Sequence, residues 1–271
     1  MPPPTHPSHA HAFDSGFVRR VLDDVLDHGA KVYGITGPQG SGKSTLAAQL
    51  AGAAAGRGLR LACVSIDDFY LGHVARQKLA REVHPLLATR GPPGTHDAAM
   101  ACEVLDALRA GRSAPLPRFD KITDRRLPRA QWPVLQGADL VVFEGWFLGT
   151  PPQDEAELAE PVNALERDQD PDGRWRRWCN DALGRDYPPV WQRIDRLLFL
   201  QPPGFEVVPG WRWEQEQALR AADPQRRGMD RARVERFVRH FERISRHALR
   251  TLPGIADATV ALDAQRRPAW P

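Results

Sequence analysis

Cysteine is scarce in this chain, and what little there is forms no pattern. Cys63, Cys102 and Cys179 are odd in number, widely spaced and without a C-x-x-C pair. That excludes a disulfide framework or a zinc cluster and leaves free thiols in a reducing compartment as the expectation. Lysine is nearly missing too, occurring only at 31, 43, 78 and 121, so the positive charge is almost all arginine. With a net charge of only +3 and no basic block interleaved with aromatics, nucleic-acid binding is not expected. No apolar run approaches membrane-spanning length, so no membrane partner is expected. The opening MPPPTHPSHAHAF lacks the charged and apolar regions of a secretory signal and the Arg- and Ser-rich pattern of a transit peptide. A cytoplasmic protein is the expectation. Residues 1–12 are expected to form a disordered tail, in which His6, His9 and His11 are not read as a metal site.

The remaining length, 13–271, is enough for one large domain with a sizeable core. Hydrophobic content of 42% and charged content of 26% are ordinary for a globular chain. Apolar strand-like runs at 31–36, 61–66, 138–144, 193–200 and 259–262 alternate with helical patterns at 17–29, 44–55, 74–84, 97–110, 212–221 and 230–250. Continuous apolar strands between helices predict an α/β fold whose parallel sheet carries helices on both faces. The Pro-rich stretch 150–190 reads as the least regular part.

Between the first strand and its helix lies Gly37-Pro38-Gln39-Gly40-Ser41-Gly42-Lys43-Ser44, a full G-x-x-x-x-G-K-[ST] match followed by Thr45. A glycine turn leading into a helix N-terminus gathers backbone N–H groups around phosphate, with the helix dipole favouring negative charge. Lys43 is expected on the β- and γ-phosphates and Ser44 on Mg²⁺, so ATP and Mg²⁺ are the expected cofactors. In such sheets ligands bind beyond the carboxyl ends of the strands. VSIDDFYL places Asp67 and Asp68 at the end of the second strand, and ADLVVFE places Glu144 at the end of another. Glu144 and Asp68 are candidate Mg²⁺ ligands beside Ser44. No N-K-x-D motif is present, which speaks against a GTPase. A lid over about 205–230 is expected to carry Arg212, Arg226 or Arg227 over the phosphates, with Arg212, flanked by Trp211 and Trp213, the catalytic candidate.

GPQGSGKST, SIDDFYL, RGPPGTHD, LPRFDK, FEGWFLG, PVNALE, DGRWRRWCN and GWRWEQE occur in that order over residues 31 to about 245. Together they resemble the plant- and fungal-type D-glycerate 3-kinases and their bacterial relatives, in the group of phosphate-loop kinases that includes uridine kinase, phosphoribulokinase and type I pantothenate kinase. The resemblance implies that Asp67 is the base, with Asp68 where uridine kinases have Ser. Asp97 matches the final acid of the acceptor-contacting element, and Tyr70 and His96 are further candidates for contact with the acceptor. Residues 119–126 match the uridine kinases' acceptor segment, but Asp124 replaces the nucleoside-contacting His. Lys121, Arg125 and Arg126 would instead suit an acceptor carboxylate. The expected reaction is therefore ATP-dependent phosphorylation of the 3-hydroxyl of D-glycerate, a small-molecule partner. A kinase of the same fold for a nucleoside, pantothenate or another hydroxy acid, or a nucleotide-dependent regulatory ATPase, is the alternative. The sequence leaves the oligomeric state open.

Overall fold

Five strands of the protein run parallel because helices return the chain to the same edge of the sheet after each one. The computed structural model describes residues 12–223, 225 and 228–270; the tail at 1–11 and Arg226 and Arg227 lie outside the described residues. Helix α1 (Ser15–Asp27) precedes strand β1 (Val32–Thr36), which leads into α2 (Lys43–Ala55) and β2 (Leu61–Ser65). Helices α3 (His73–Glu82) and α4 (Ala98–Arg109) follow. Four two-residue strands come next: β3 (Ala114–Pro115), β4 (Phe119–Asp120), β5 (Arg125–Arg126) and β6 (Val134–Leu135). Strand β7 (Leu140–Gly145) then opens a helical stretch of α5 (Ala164–Gln169), α6 (Arg174–Asp186) and α7 (Pro188–Trp191). The chain ends with β8 (Arg196–Gln201), α8 (Val208–Ala222), α9 (Arg231–Thr251), β9 (Ala258–Leu262) and β10 (Pro268–Ala269).

The main sheet has the order β10-β9-β8-β1-β7-β2. Only the β9–β10 pairing is antiparallel. Side chains on successive strand residues leave opposite faces, and the core divides accordingly. Val141, Phe143, Leu197 and Phe199 pack with α4 and α9 through Leu105, Leu108, Phe241 and Ile244. Leu140, Val142, Leu198 and Leu200 pack with α1 and α2 through Val21, Leu22, Leu46 and Leu50. Because both faces are covered, β1 and β7 are buried at every residue, as their largely apolar sequence requires.

Three differences from the sequence reading have physical causes. Residues 150–190 are not irregular throughout, since α5, α6 and α7 occupy most of residues 164–190. Their polar sequence is folded around buried ion pairs, Arg176–Asp170 at 3.0 Å and Arg243–Glu166 at 2.7 Å. Asn163 caps α5 by accepting from the Glu166 amide, and Pro188 sits in the first turn of α7, where its missing N–H costs nothing. Ile66 does not end β2 but starts a short 3₁₀ turn, Ile66–Phe69, that carries the acid pair. The segment after α4 forms two antiparallel pairs, β3–β6 and β4–β5, too short to show a period in sequence. Among the described residues no helix is long and apolar enough to cross a membrane.

Candidate active site

The ends of β1, β7 and β2 meet in register. Glu144 pairs across β1 with Ile35 and across β2 with Ser65. The phosphate loop therefore opens beside Glu144, and the acid pair lies on its other side. Within the loop, Gly40 has φ +78°, and a Cβ there would stand 2.7 Å from the Cβ of Trp211. Gly42, in the left-handed conformation, is the N-cap of α2. Both positions need glycine, one for space and both for backbone geometry.

Lys43 is buried and donates to the Pro38 carbonyl at 2.9 Å, which curls its ammonium back over the loop. Burial pulls its pKa down, opposed by the negative charges of Glu144 and Asp67. Both acids thus act electrostatically on the same ammonium. Ser44 donates its hydroxyl to Glu144 Oε1 at 3.0 Å. Thr36 Oγ1, the Gln39 side-chain amide and Ser41 Oγ are buried without a hydrogen-bond partner among the described residues. Such groups cost free energy unless something polar satisfies them, and here they surround a loop built for phosphate.

A support for the loop comes from a residue the sequence reading passed over. Arg266, in the turn between β9 and β10, donates Nε to the Gly40 carbonyl at 2.6 Å and pairs with Glu214 at 2.8 Å. Its guanidinium lies over Trp211, 4.9 Å from the ring centroid, and Trp211 donates Nε1 to the Ala264 carbonyl at 2.9 Å. No local motif marks Arg266. Only the tertiary meeting of α8, the C-terminal turn and the loop gives it this role.

The two aspartates differ, as their successive positions predict. Asp67 accepts from Tyr70 Oη on Oδ1 and from Lys121 Nζ on Oδ2, each at 2.6 Å. Burial raises its pKa, but the Lys121 charge and the two hydrogen bonds outweigh it and hold the carboxyl well below the usual range. Asp68 accepts from Arg118 Nη1 at 2.6 Å. There burial wins over Arg118 and Lys121, and the carboxyl is pushed up to about 6. One acid is held ionised while its neighbour sits close to the titrating range. Arg118, from the LPRFDK stretch, also went unassigned in sequence.

On the acceptor side, Tyr70 bridges to His96 through the backbone and stacks 4.8 Å from its ring. His96 Nδ1 meets Tyr187 Oη at 2.7 Å, and its Nε2 is buried with no partner among the described residues. Burial lowers its pKa to about 4 against the pull of Asp67, so the ring is neutral at ordinary pH. Asp97 and Arg126 are joined to each other and to the surrounding backbone. Asp97 caps α4 through the Met100 amide and takes Arg126 Nη1 at 3.2 Å. Arg126 spends its other donors on the Phe69 and Tyr70 carbonyls. These two brace the 3₁₀ turn to the β4–β5 pair. Arg125 is exposed. Arg212, on α8, pairs with Glu216 at 2.9 Å and lies over Phe237. The described residues contain no group of three or more His, Cys, Asp or Glu placed to hold a metal.

No protein-family model matches the chain. Over 226 residues it is 36% identical to an uncharacterized kinase of Schizosaccharomyces pombe, and the match covers 78% of each. It is 31% identical over 222 residues to the chloroplastic D-glycerate 3-kinase of Arabidopsis thaliana, across 78% of this chain and 46% of that protein, so it spans under half of the plant enzyme's length. Among solved structures, D-glycerate 3-kinase from Cryptococcus neoformans aligns with a TM-score of 0.79 at 26% identity, covering 94% of this chain and 98% of that one.

Proposed function

The chain belongs to the plant- and fungal-type D-glycerate 3-kinase family of phosphate-loop kinases, and we propose that it transfers the γ-phosphoryl group of ATP to the 3-hydroxyl of D-glycerate. The observation that carries this reading is the Asp67 carboxylate, held ionised by Lys121 and Tyr70 at the end of β2 and close enough to act on Lys43. A carboxylate facing the transferring group can orient the acceptor hydroxyl and take its proton as the new O–P bond forms.

As the site stands, both Asp67 oxygens are occupied. Lys121 is half exposed and sits in the short β4–β5 turn, so it is the partner that can move. When its ammonium turns toward the anionic acceptor, one Asp67 oxygen is released and its basicity rises. Tyr70 stays on the other oxygen and fixes the carboxylate plane. Lys43 and the loop amides hold the β- and γ-phosphates and stabilise charge on the group in flight. Mg²⁺, when bound with the nucleotide, would neutralise phosphate charge. The Ser44 hydroxyl and Glu144 carboxylate, 3.0 Å apart, are a hard-oxygen pair that fits a cation which keeps most of its waters. Asp68 is held by Arg118 and has the lesser share. Arg212 on α8 is the proposed lid arginine that excludes water over the phosphates.

The test is ADP release measured with and without D-glycerate, with product identification. Acceptor-dependent ADP release and a 3-phosphoglycerate product are expected. Release that ignores every acceptor would identify a nucleotide-driven switch instead.

A further inference from the structure

Apart from Lys121, which must first leave Asp67, the acceptor side lacks an obvious anchor for a carboxylate once the ion pairs are assigned. Lys121 is held by Asp67, Arg118 by Asp68, and Arg126 by Asp97 and two backbone carbonyls. Arg125 is exposed. The remaining basic groups converge on Asp124, at the tip of the β4–β5 turn, which has a left-handed backbone (φ +57°). Arg76 Nη2 and Arg90 Nη1 each reach its carboxylate at 2.6 Å, and His73 Nδ1 lies at 3.4 Å.

The two arginines are not equivalent. Arg76 is fully buried and donates Nε to the Leu71 carbonyl and Nη1 to the Ala88 carbonyl, besides its bonds to Asp124, so its whole fork is spent on structure. Arg90 donates only Nη1, to Asp124 Oδ1, and no acceptor among the described residues meets its Nε or Nη2. Those two nitrogens lie on one edge of the guanidinium, the pair of parallel donors that matches a carboxylate. Asp124 also carries two arginines on one negative charge, so the cluster keeps surplus positive charge. Arg90 lies beside the site. Its guanidinium lies 5.6 Å from the centroid of Phe119, whose ring packs edge-on against Tyr70 at 5.2 Å, and its charge acts on the Tyr70 phenol that holds Asp67.

The geometry points to Arg90 as the residue that selects a carboxylate-bearing acceptor, with Asp124 holding the guanidinium by one nitrogen so that its Nε–Nη2 edge meets the acceptor's anion. This rests on the proposed reading of the acceptor as a small hydroxy acid and deepens it. It also gives the Asp124 position a purpose: a carboxylate there orients an arginine for an anionic acceptor.

The experiment compares D-glycerate with glycerol, which offers the same hydroxyl without the carboxylate, in the wild type, Arg90→Gln and Arg90→Lys, with folding followed by thermal melting. For Arg90→Gln the KM for D-glycerate rises at least about tenfold, and the kcat/KM preference for D-glycerate over glycerol narrows by the same factor, while the KM for ATP moves less than about twofold. Arg90→Lys keeps the charge beside Asp124 without the two-donor edge and recovers only part of the preference, so it serves as the readout should Arg90→Gln fail to fold. An unchanged preference, or equal losses toward both acceptors, would overturn the assignment, because a bracing role through Asp124 affects both alike. If the wild type ignores D-glycerate but phosphorylates another hydroxy acid, the glycerate reading fails alone, and the same ratio for that acid and its matching alcohol decides Arg90. A wild type that works only on uncharged acceptors sinks both.

Discussion

The two ends of the parallel sheet use charge in opposite ways. At the amino end the acids are matched by donors. Asp24 takes both branches of Arg196 at 2.7 and 2.9 Å and the Tyr33 hydroxyl at 3.0 Å. Asp195 accepts the Lys31 and Val32 amides and pairs with Arg109. Asp257 accepts the Leu197 amide. At the carboxyl end Thr36 Oγ1, the Gln39 amide, Ser41 Oγ and His96 Nε2 are buried without partners among the described residues, and the paired acids Asp67 and Asp68 are driven to opposite protonation behaviour. Saturated charge fixes strand register and contributes to stability. Unsatisfied polar groups and split acids are retained where a ligand completes them.

Removing one charge from each end should separate the two uses. Lys43→Ala, at the carboxyl end, is expected to lower kcat by about two to three orders of magnitude, because it deletes a positive charge aimed at the transferring phosphoryl group. Its melting temperature should hold or rise, since a desolvated ammonium is removed. A folded Lys43→Ala enzyme with near-normal kcat would sink the phosphate-loop assignment.

Asp24→Asn, at the amino end, should do the reverse. It weakens a bidentate ion pair and is expected to cost about 1.5–3 kcal/mol of stability with kcat close to wild type, read from denaturant unfolding and steady-state rates. The pH dependence has a definite sign. Burial raises the Asp24 pKa, but the bonds from Arg196 and Tyr33 prevail and lower it in the folded state. Its contribution is therefore present above the unfolded value of about 3.9 and lost as pH falls through the lower folded value. The gap between wild type and Asp24→Asn should be constant from pH 7 to 5 and close below about pH 4. A gap that widens in acid would contradict the pairing.

A smaller effect sharpens the boundary between the two kinds of charge. Arg266 is a saturated arginine that works at the functional end through the Gly40 carbonyl. Arg266→Ala is expected to raise the KM for ATP about threefold to tenfold with kcat less affected, the loss of one or two hydrogen bonds that set the loop's shape. A fall in melting temperature without any change in KM would make Arg266 a stabilising residue only.

What could be read from sequence follows from how local each signal is. Gly37–Ser44, Asp67, Asp68 and Glu144 were legible because each lies in or beside one apolar strand, where a glycine or acid has no folding reason to be. The parallel sheet was legible from the same strands. Arg90, Arg118 and Arg266 were not, because thirty-three arginines look alike in a chain with only four lysines. Their partners Asp124, Asp68 and Gly40 are distant in sequence. The bracing contacts of Arg126 and Asp97 were not legible for the same reason, since a motif position carries no information on how many donors are already spent on backbone carbonyls. Helix α5 escaped because it is short and its buried face includes Glu166, paired with Arg243, a charge that a hydrophobic period cannot detect. Helix α6 does carry an apolar set at helical spacing, Trp175, Cys179, Ala182 and Leu183, but Arg176 and Asn180 are buried among them and blur it.

That Asp67 is the base and Asp68 its helper is tested by the pair of single variants Asp67→Asn and Asp68→Asn in steady-state kinetics over a range of Mg²⁺. Asp67→Asn should lose about two to four orders of magnitude in kcat, with little change in the KM for ATP and no rescue by added Mg²⁺. Asp68→Asn should lose far less and regain part of its rate as Mg²⁺ is raised. The reverse ranking, with Asp68→Asn crippled and Asp67→Asn mild, would contradict the account and make Asp68 the base.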